Sequence, residues 1–381
     1  KTINLYVKYI FKKLWLRILM GIVDTLGRIL YFPGWKKKKL GSHPKNIAVL
    51  RFDHIGDVIN TTPFLKSLRD KFPDSVIDVY VSPWGEEALS NNPRINNVFV
   101  VKTTLYEKTG TSRPSWGSVF GVASLLKLKQ YDLGISVRGD LREILMLKFG
   151  KARAIASYGI TGGGFLLDIS PEYKFGGHEI DINLSLASSL GCSNLLRDTE
   201  FFVSEELKKK TELLGLKLKK YGVLHTGSGA PVKRWHPYKY AKLISLLQKD
   251  GVQQIVLIGS ADETDSVFKA LASSENIIDL GGKTTLGELG AVVSEAAFFV
   301  GTDSGPAHIA AALKVPSVII FSGANLPTRW APQGSNITVI YRDTSCSPCC
   351  SFTCGVKGHP CMESITEKEV FGEIKKIIEE K

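Results

Sequence analysis

The stretch VGTDSGPAHIAAAL, residues 300–313, combines groups that can hold an anion. An apolar run ends here and a helical pattern follows, so Asp303 and Ser304 are suitable N-cap residues before Gly305. Backbone amides at such a helix start bind phosphate, and His308 in the first turn could face the same anion. The alternative is a capped helix without a ligand.

The stretch HTGSGAPVKRWHPYKYAKL, residues 225–243, places glycines beside basic side chains. Thr226 and Gly227 begin a turn where the backbone can approach a ligand, and Lys233 and Arg234 add positive charge. Two such loops in one half of the chain favour a diphosphate, although a solvated basic loop is the alternative. Their spacing fits neither a Walker A loop nor a dinucleotide turn, which argues against an ATPase or a dehydrogenase.

The stretch RFDHIGDVINTTPFL, residues 51–65, follows the apolar run NIAVL and leads into a helical pattern. Asp57 could cap that helix, or it could act as a general base that takes a proton from a substrate hydroxyl. Gly56 would let the turn approach a ligand closely. We therefore assign Asp57 as the candidate base. The molecule that carries the substrate hydroxyl is the acceptor, and we place Arg51, His54 and Gly56 on the acceptor side of the site.

Candidate strands alternate with helical patterns, which predicts an α/β fold with parallel sheets covered on both faces. NIAVLRF, VIDVYVS and YDLGISV are the candidate strands of a first domain. YGVLHTG, QQIVLIGS, AAFFVGT and VPSVIIFSG are those of a second. Two such domains facing each other across a cleft would bind a ligand at the carboxyl ends of their strands. A base in the first domain would then face a diphosphate held by the second.

Residues 1–40 carry ten Lys or Arg against one acid, so +9 of the formal net charge of +12 lies there. The rest of the chain is nearly neutral, which argues against nucleic-acid binding. Arg17, Asp24 and Arg28 interrupt the apolar run 14–32, which argues against a transmembrane helix. On a helix these charges lie opposite an apolar stripe made of Trp15, Leu19, Ile22, Leu26 and Leu30.

A basic amphipathic helix followed by the KKKK run at 36–39 is typical of the surface of an anionic membrane. The alternative is a helix that packs on the protein or on a partner chain. The predicted organisation is then a membrane-associating segment 1–40, a first α/β domain 41–212 with the acceptor side, a second α/β domain 213–366 that holds the diphosphate, and a C-terminal helix 367–381 that could pack back on the N-terminal domain. The boundary lies at the charged stretch SEELKKKTELLGLKLKK.

Five of the six cysteines lie within residues 346–361, which favours a reduced protein with one local cluster over a disulfide framework. The thiols that could hold one structural Zn or Fe ion are Cys346, Cys349, Cys354 and Cys361. Cys350 and His359 are substitutes for these ligands. Free or oxidised thiols are the alternative.

Three motifs in this order, RxxxxGDVIxTxP at 51–63, KRWHP at 233–237 and GTDSGPAHIAAAL at 301–313, resemble glycosyltransferase family 9, the ADP-heptose–lipopolysaccharide heptosyltransferases. The resemblance runs from about Asn46 to the end of the chain. It implies a GT-B fold of two Rossmann-like domains, and an inverting transfer that needs no metal or other cofactor. The cysteine-rich segment resembles a tail found in part of the family.

The resemblance also implies roles for single residues. Asp57 matches the proposed base of the family, and Lys233 matches its donor-phosphate lysine. The loop Asp303-Ser304-Gly305 matches the one that holds the nucleotide and its phosphates, and Glu263 matches an acidic ribose contact.

We therefore expect a glycosyltransferase that is peripheral on the cytoplasmic face of the inner membrane. It would move heptose from ADP-heptose to a lipid-linked acceptor in the lipopolysaccharide inner core. One alternative is the same chemistry with another nucleotide sugar or a protein acceptor. Another is a non-catalytic nucleotide-sugar-binding protein, and a third is an epimerase or hydrolase on the same fold.

Overall fold

The computed structural model describes residues 9–11, 13–31, 41, 43–102, 116–212, 214, 216, 220–271 and 275–379. The KKKK run and several positions of the predicted boundary stretch lie outside these residues. The strands of the described part are β1 Asn46–Arg51, β2 Val76–Val81, β3 Asn97–Val100, β4 Leu133–Ser136, β5 Ala154–Ser157, β6 Tyr221–His225, β7 Gln254–Ile258, β8 Ile277–Asp279, β9 Phe298–Thr302, β10 Ser317–Phe321 and β11 Ile337–Tyr341. The helices there are α1 Leu14–Tyr31, α2 Ile55–Ile59, α3 Thr62–Lys71, α4 Trp116–Lys129, α5 Leu141–Phe149, α6 Glu179–Ser189, α7 Glu205–Glu212, α8 Pro237–Lys249, α9 Ala261–Phe268, α10 Leu286–Ser294, α11 Gly305–Ala312, α12 Pro327–Trp330, α13 Pro360–Glu363 and α14 Glu367–Glu379.

The strands form two parallel sheets, in the orders β3-β2-β1-β4-β5 and β11-β10-β9-β6-β7-β8. The strands near the middle of each sheet are buried on both faces, as the continuous apolar runs predict. In each sheet the strand order reverses beside the strand that opens it, β1 in one and β6 in the other. Such a switch point gathers the loops that follow neighbouring strands at one edge of the sheet.

The described chain divides into two compact units. The first takes the residues up to Glu86 together with 92–175 and 180–197, and the second takes 87–91, 176–179 and 198–381. Helix α7 packs against α10 and so belongs to the second unit. The division therefore falls before α7, whereas the sequence analysis placed it after residue 212.

The C-terminal helix α14 packs on α8 and β10, and its buried residues Val370 and Ile374 lie in the core of the second unit. This corrects the expectation that the helix packs back on the N-terminal domain. The physical reason is its amphipathic pattern, which places both apolar side chains on the one face that the second core covers.

In the first unit one face of the sheet is covered by α4, α5 and the turn 164–166, which share a single hydrophobic core. Helix α1 lies over that turn. Gly27 of α1 is required there, because a β-carbon at this position would lie 2.6 Å from the ring of Phe165. The contact therefore fixes which side of α1 faces the protein.

The charged stripe of α1 faces inward at Asp24, which is 2% exposed. Its carboxylate accepts hydrogen bonds from the Tyr9 hydroxyl and from the backbone N–H of Gly163, both at 2.8 Å. The apolar stripe points away from the protein, and its exposed members are Trp15, Leu19, Ile22, Leu26 and Leu30. Among the described residues, no helix combines the length and the apolar character needed to cross a bilayer.

Candidate active site

Lys233 and Asp303 form an ion pair in the second unit, at the carboxyl ends of the adjacent strands β6 and β9. The Lys233 Nζ lies 2.5 Å from Oδ2 of Asp303, and the two side chains are 20% and 6% exposed. The same oxygen accepts a hydrogen bond from Nδ2 of Asn325 at 2.8 Å. Asn325 follows β10, the next strand along the sheet, and the sequence analysis did not identify it. The amide and the ammonium group are thus held beside each other by one carboxylate.

Glu263 joins the turn after β6 to the turn after β7. Its carboxylate accepts backbone N–H groups of Ser228 at 3.2 Å and Ser260 at 3.0 Å, and pairs with Arg234 at 3.0 Å. Burial acts to raise the pKa of Glu263, but these bonds outweigh it and hold the pKa below its ordinary value. A β-carbon on Gly227 would lie 1.8 Å from this carboxylate, so only glycine fits here. The acidic group that we matched to a ribose contact therefore holds the turn after β6, which contains Gly227 and Arg234, against the turn after β7.

Two histidines beside the loop Asp303-Ser304-Gly305 are buried and uncharged. Burial lowers the pKa of His308 to about 4 although Asp303 opposes the shift, and burial likewise lowers the pKa of His225 to about 4. The Ser304 hydroxyl donates to the carbonyl of Thr302 at 3.0 Å and lies 3.1 Å from Nδ1 of His225. At neutral pH these rings can offer hydrogen bonds to a ligand, but not positive charge.

The turn after β9 is tied to the turn after β6 by a hydrogen bond from Thr302 Oγ1 to the Gly227 carbonyl at 2.9 Å. Thr226 continues β6 by bonding its N–H to the Ile258 carbonyl of β7. Gly305 is the first residue of α11. The structure therefore brings together all the residues of the second unit that the sequence assigned to the donor, namely Thr226, Gly227, Lys233, Arg234, Glu263, Asp303, Ser304, Gly305 and His308.

Asp57 lies in the first unit, in the short helix α2 that follows β1. Its Oδ2 accepts the backbone N–H of His54 at 3.2 Å, and its Oδ1 lies 3.6 Å from Nη2 of Arg51. Asp57 is therefore not the N-cap residue, which is His54, but its carboxylate stabilises the helix start from the third helical position, and it remains 17% exposed. Arg51 is 2% exposed and pairs with Asp57, so it acts on this carboxylate and does not face solvent.

A set of charges that the sequence analysis missed lies beside Asp57, at the carboxyl ends of β1 and β4. Arg51 also pairs with Asp53 at 3.3 Å, and Asp53 pairs in turn with Arg138. The Asp53 carbonyl accepts a hydrogen bond from Nε1 of Trp84 at 2.6 Å. The pairing of β1 with β4 brings Arg138 beside Asp53, and the pairing of β1 with β2 brings Trp84 beside it.

Glu143 is fully buried on α5 and accepts a hydrogen bond from the Ser136 hydroxyl at 2.6 Å. Burial, reinforced by the charges of Asp140 and Asp53, raises the pKa of Glu143 to about 8. The carboxyl group is therefore largely protonated at neutral pH.

The cysteines of residues 346–361 carry free thiols. Cys361 is buried, and burial raises its pKa; interactions with the thiols of Cys354, Cys346 and Cys349 raise it further. The other three predicted ligands therefore lie near Cys361. Within the described residues, however, no group of three or more His, Cys, Asp or Glu side chains is placed so that it could hold a metal ion.

The sequence profile of glycosyltransferase family 9 (heptosyltransferase) matches residues 119–359 of this chain. Lipopolysaccharide heptosyltransferase 3 of Escherichia coli K12 is 31% identical over 298 residues, which are 74% of this chain and 83% of that protein. The chain belongs to glycosyltransferase family 9. It is therefore a glycosyltransferase, as the three motifs predicted.

The fold of this family 9 enzyme is similar to two solved structures from E. coli. The structure of ADP-heptose lipopolysaccharide heptosyltransferase II has a TM-score of 0.71 and 22% identity, covering 88% of this chain and 99% of that one. A heptosyltransferase with ADP-2-deoxy-2-fluoro heptose has a TM-score of 0.67 and 19% identity, covering 87% and 99%. These likenesses confirm the predicted GT-B fold class.

Proposed function

We propose that this enzyme transfers heptose from ADP-heptose to an acceptor in the lipopolysaccharide inner core, with inversion at the anomeric carbon. The observation that supports it most is the Lys233–Asp303 ion pair with Asn325, at adjacent strand ends in a family 9 chain. The names of the similar proteins support the choice of sugar, nucleotide and acceptor, because they refer to lipopolysaccharide heptosyltransferases and to ADP-heptose.

In the proposed reaction an acceptor hydroxyl oxygen forms a bond to the anomeric carbon as the bond from that carbon to the diphosphate oxygen breaks. Asp57 takes the hydroxyl proton, and ADP leaves with the electron pair of the broken bond. An ammonium group has three protons, so Lys233 can keep its bond to Asp303 while it donates to the departing diphosphate. Arg234 adds a second positive charge on the same turn, while its bond to Glu263 fixes its position.

We place the acceptor on the first unit, beside Asp57. His54 and Trp84 lie there with their rings 6.0 Å apart, and Arg138 is 40% exposed beside Asp53. An inner-core acceptor carries carboxylate and phosphate groups, and an exposed arginine is suited to both. Gly56, the residue before the base, has no side chain that would obstruct the acceptor.

The membrane is the second proposed partner, and the orientation of α1 supports it. The helix binds the protein through Asp24 and Gly27 and leaves its apolar stripe outward. On the same side of the first sheet, α4 and α5 expose a second apolar group, made of Trp116, Phe120, Leu128 and Phe149. The exposed lysines Lys127 and Lys129 lie beside it on a helix without acids, so an anionic lipid surface matches both the apolar area and its charge.

A structural zinc or iron ion at Cys346, Cys349, Cys354 and Cys361 stays a prediction. The four thiols have the right chemistry and lie near Cys361, but their present arrangement does not form a ligand set. We expect about one equivalent of zinc or iron in purified protein, lost in the Cys354→Ser variant. Metal-free protein with full activity would remove this prediction.

The test of the proposed function is nucleotide release from a panel of nucleotide sugars, with and without a lipid A–Kdo acceptor, in the presence of EDTA. We expect ADP from ADP-heptose only when the acceptor is present. Asp57→Asn should lose about 10²- to 10⁴-fold in turnover while ADP still binds, because only the proton acceptor is removed. Asp74→Asn, an exposed acid of the same unit, is the matched control.

Each alternative has its own result in this test. Release of nucleotide without acceptor would indicate a hydrolase or epimerase. Tight donor binding without turnover, equal in wild type and Asp57→Asn, would indicate a binding protein. Turnover of another nucleotide sugar would change the donor but keep the transferase.

A further inference from the structure

The cysteine-rich segment, residues 346–361, holds the turn that carries Lys233. The backbone N–H of Val232 donates to the carbonyl of Phe352 at 3.1 Å. The imidazole of His359 also hydrogen-bonds to the Val232 backbone. Both polar groups of the residue before Lys233 are therefore bonded to this segment and not to the sheet.

The same segment holds the loop that carries Asn325. The backbone N–H groups of Cys349 and Cys350 donate to the carbonyls of Gly323 and Ala324, at 2.9 and 3.1 Å. These are the two residues before Asn325, whose amide bonds Asp303. The segment thus contacts the immediate neighbours of two of the three side chains in the Lys233–Asp303–Asn325 set.

The segment is itself fixed at its C-terminal end. Cys361 is 4% exposed and belongs to the core of the second unit with Met362 and Ile365. Gly323 approaches it so closely that a β-carbon there would lie 2.4 Å from the hydroxyl of Ser347 and 3.4 Å from Cys361. The segment that contacts the two loops is therefore anchored in the core of the second unit.

Most of the segment contributes little to the core, because Cys350, Phe352 and Val356 are exposed. Yet its backbone supplies three hydrogen bonds to residues that flank donor-binding side chains. A segment that served only the stability of the fold would bury its apolar side chains. It would not need backbone hydrogen bonds to the residues beside Lys233 and Asn325.

We infer that residues 346–361 are a positioning element of the donor site, which fixes the Lys233 ammonium and the Asn325 amide for a nucleoside diphosphate. The inference rests on the proposed function in one respect, the identification of the donor as a nucleoside diphosphate sugar. No residue of the segment needs to touch the donor, because it acts through Val232 on one side and through Gly323 and Ala324 on the other.

The experiment uses the full chain with His359→Ala and Gly323→Ala. Gly355→Ala is the matched control, since a β-carbon at Gly355 would meet nothing within 4 Å and the residue lies in the same segment. The readouts are the KM for ADP-heptose, the Kd for ADP by calorimetry, kcat at saturating donor, and the thermal midpoint. We expect KM and Kd to rise about fivefold in His359→Ala, the effect of one lost hydrogen bond, and kcat to fall as well, because Lys233 also acts on the departing diphosphate.

His359→Asn serves as the rescue variant. Asparagine tolerates the left-handed backbone at this position, where φ is 46°, and its amide can donate to the Val232 carbonyl. A Kd for ADP in His359→Asn that returns to the wild-type value would support the positioning of Lys233 by the hydrogen bond to Val232.

Unchanged KM and Kd in both His359→Ala and Gly323→Ala would overturn the inference, even if the thermal midpoint fell, because that pattern describes a purely structural segment. If Gly323→Ala fails to fold, His359→Ala decides alone. If the wild type does not turn over ADP-heptose, the proposed function fails, and the Kd for ADP still decides the inference.

Discussion

The carboxylate of Asp303 binds the ammonium group of Lys233 at 2.5 Å, on a strand end next to the one that leads to the lysine. In the absence of a donor the charge of Lys233 is therefore paired and its position is set. An arriving diphosphate then meets an ammonium group that needs no further ordering, which is the condition for electrostatic stabilisation of a leaving group.

Replacing Lys233 by alanine should lower kcat by about 10²- to 10³-fold, because the positive charge acts most strongly on the departing diphosphate. Steady-state release of ADP at saturating acceptor measures this. Lys269→Ala, at an exposed lysine that directly follows α9, should have no effect. A Lys233→Ala enzyme with wild-type kcat and a raised KM alone would mean that the lysine binds the donor without aiding the reaction.

Gly227→Ala should displace the carboxylate of Glu263, since its β-carbon would overlap that group. The turns after β6 and β7 would separate and Arg234 would lose its partner, so the KM for donor should rise and the thermal midpoint should fall. Gly372→Ala, at an open position of α14, is the control and should be neutral or slightly stabilising. Normal donor binding in Gly227→Ala would contradict the role given to this turn.

The outward apolar stripe of α1 should bind lipid. A Leu19→Gln, Ile22→Gln, Leu26→Gln variant should bind vesicles of phosphatidylglycerol at least about tenfold more weakly, because three apolar contacts with the bilayer are lost. Co-sedimentation at two salt concentrations measures this, and Leu196→Gln, an exposed leucine outside α1 and α4, is the control. A change from dimer to monomer without any change in vesicle binding would instead assign the stripe to a second copy of the chain.

Stability should fall as pH rises because of Glu143. Its pKa in the folded state is about 8, above its ordinary value of 4.5, so the folded state holds a proton that the unfolded state releases between these values. The contribution is fully present below about pH 4.5 and is lost as pH rises through about 8. Glu143→Gln should flatten this part of the profile of denaturant midpoint against pH, whereas exposed Glu172→Gln should not. Parallel profiles for wild type and Glu143→Gln would show that another group titrates.

The sequence determined the α/β class, the strands near the middle of each sheet and the loops that follow them. Strands β1, β6 and β9 are continuous apolar runs because helices cover both of their faces, and such runs can be recognised without a structure. Asp303 directly follows β9, and Lys233 lies in the turn that follows β6. Their assignment to one site therefore rested on local patterns and on the family resemblance, and not on tertiary contacts.

The tertiary structure decided what depends on pairing and burial. The four strands that the sequence analysis did not identify, β3, β5, β8 and β11, are the edge strands of the two sheets. They are short or partly exposed, so their apolar pattern is weak. Amphipathic periodicity located the helix α1, but only its packing showed that Asp24 turns inward.

The difference between sequence patterns and tertiary contacts also explains why the sequence analysis did not identify Asn325 and Glu143. Each is an ordinary residue in sequence. Asn325 gains its role from Asp303, which the sheet brings close, and Glu143 gains its raised pKa from burial. A sequence pattern reports which residues follow a strand, whereas a pKa shift or an ion pair depends on distance and burial, which only the folded chain sets.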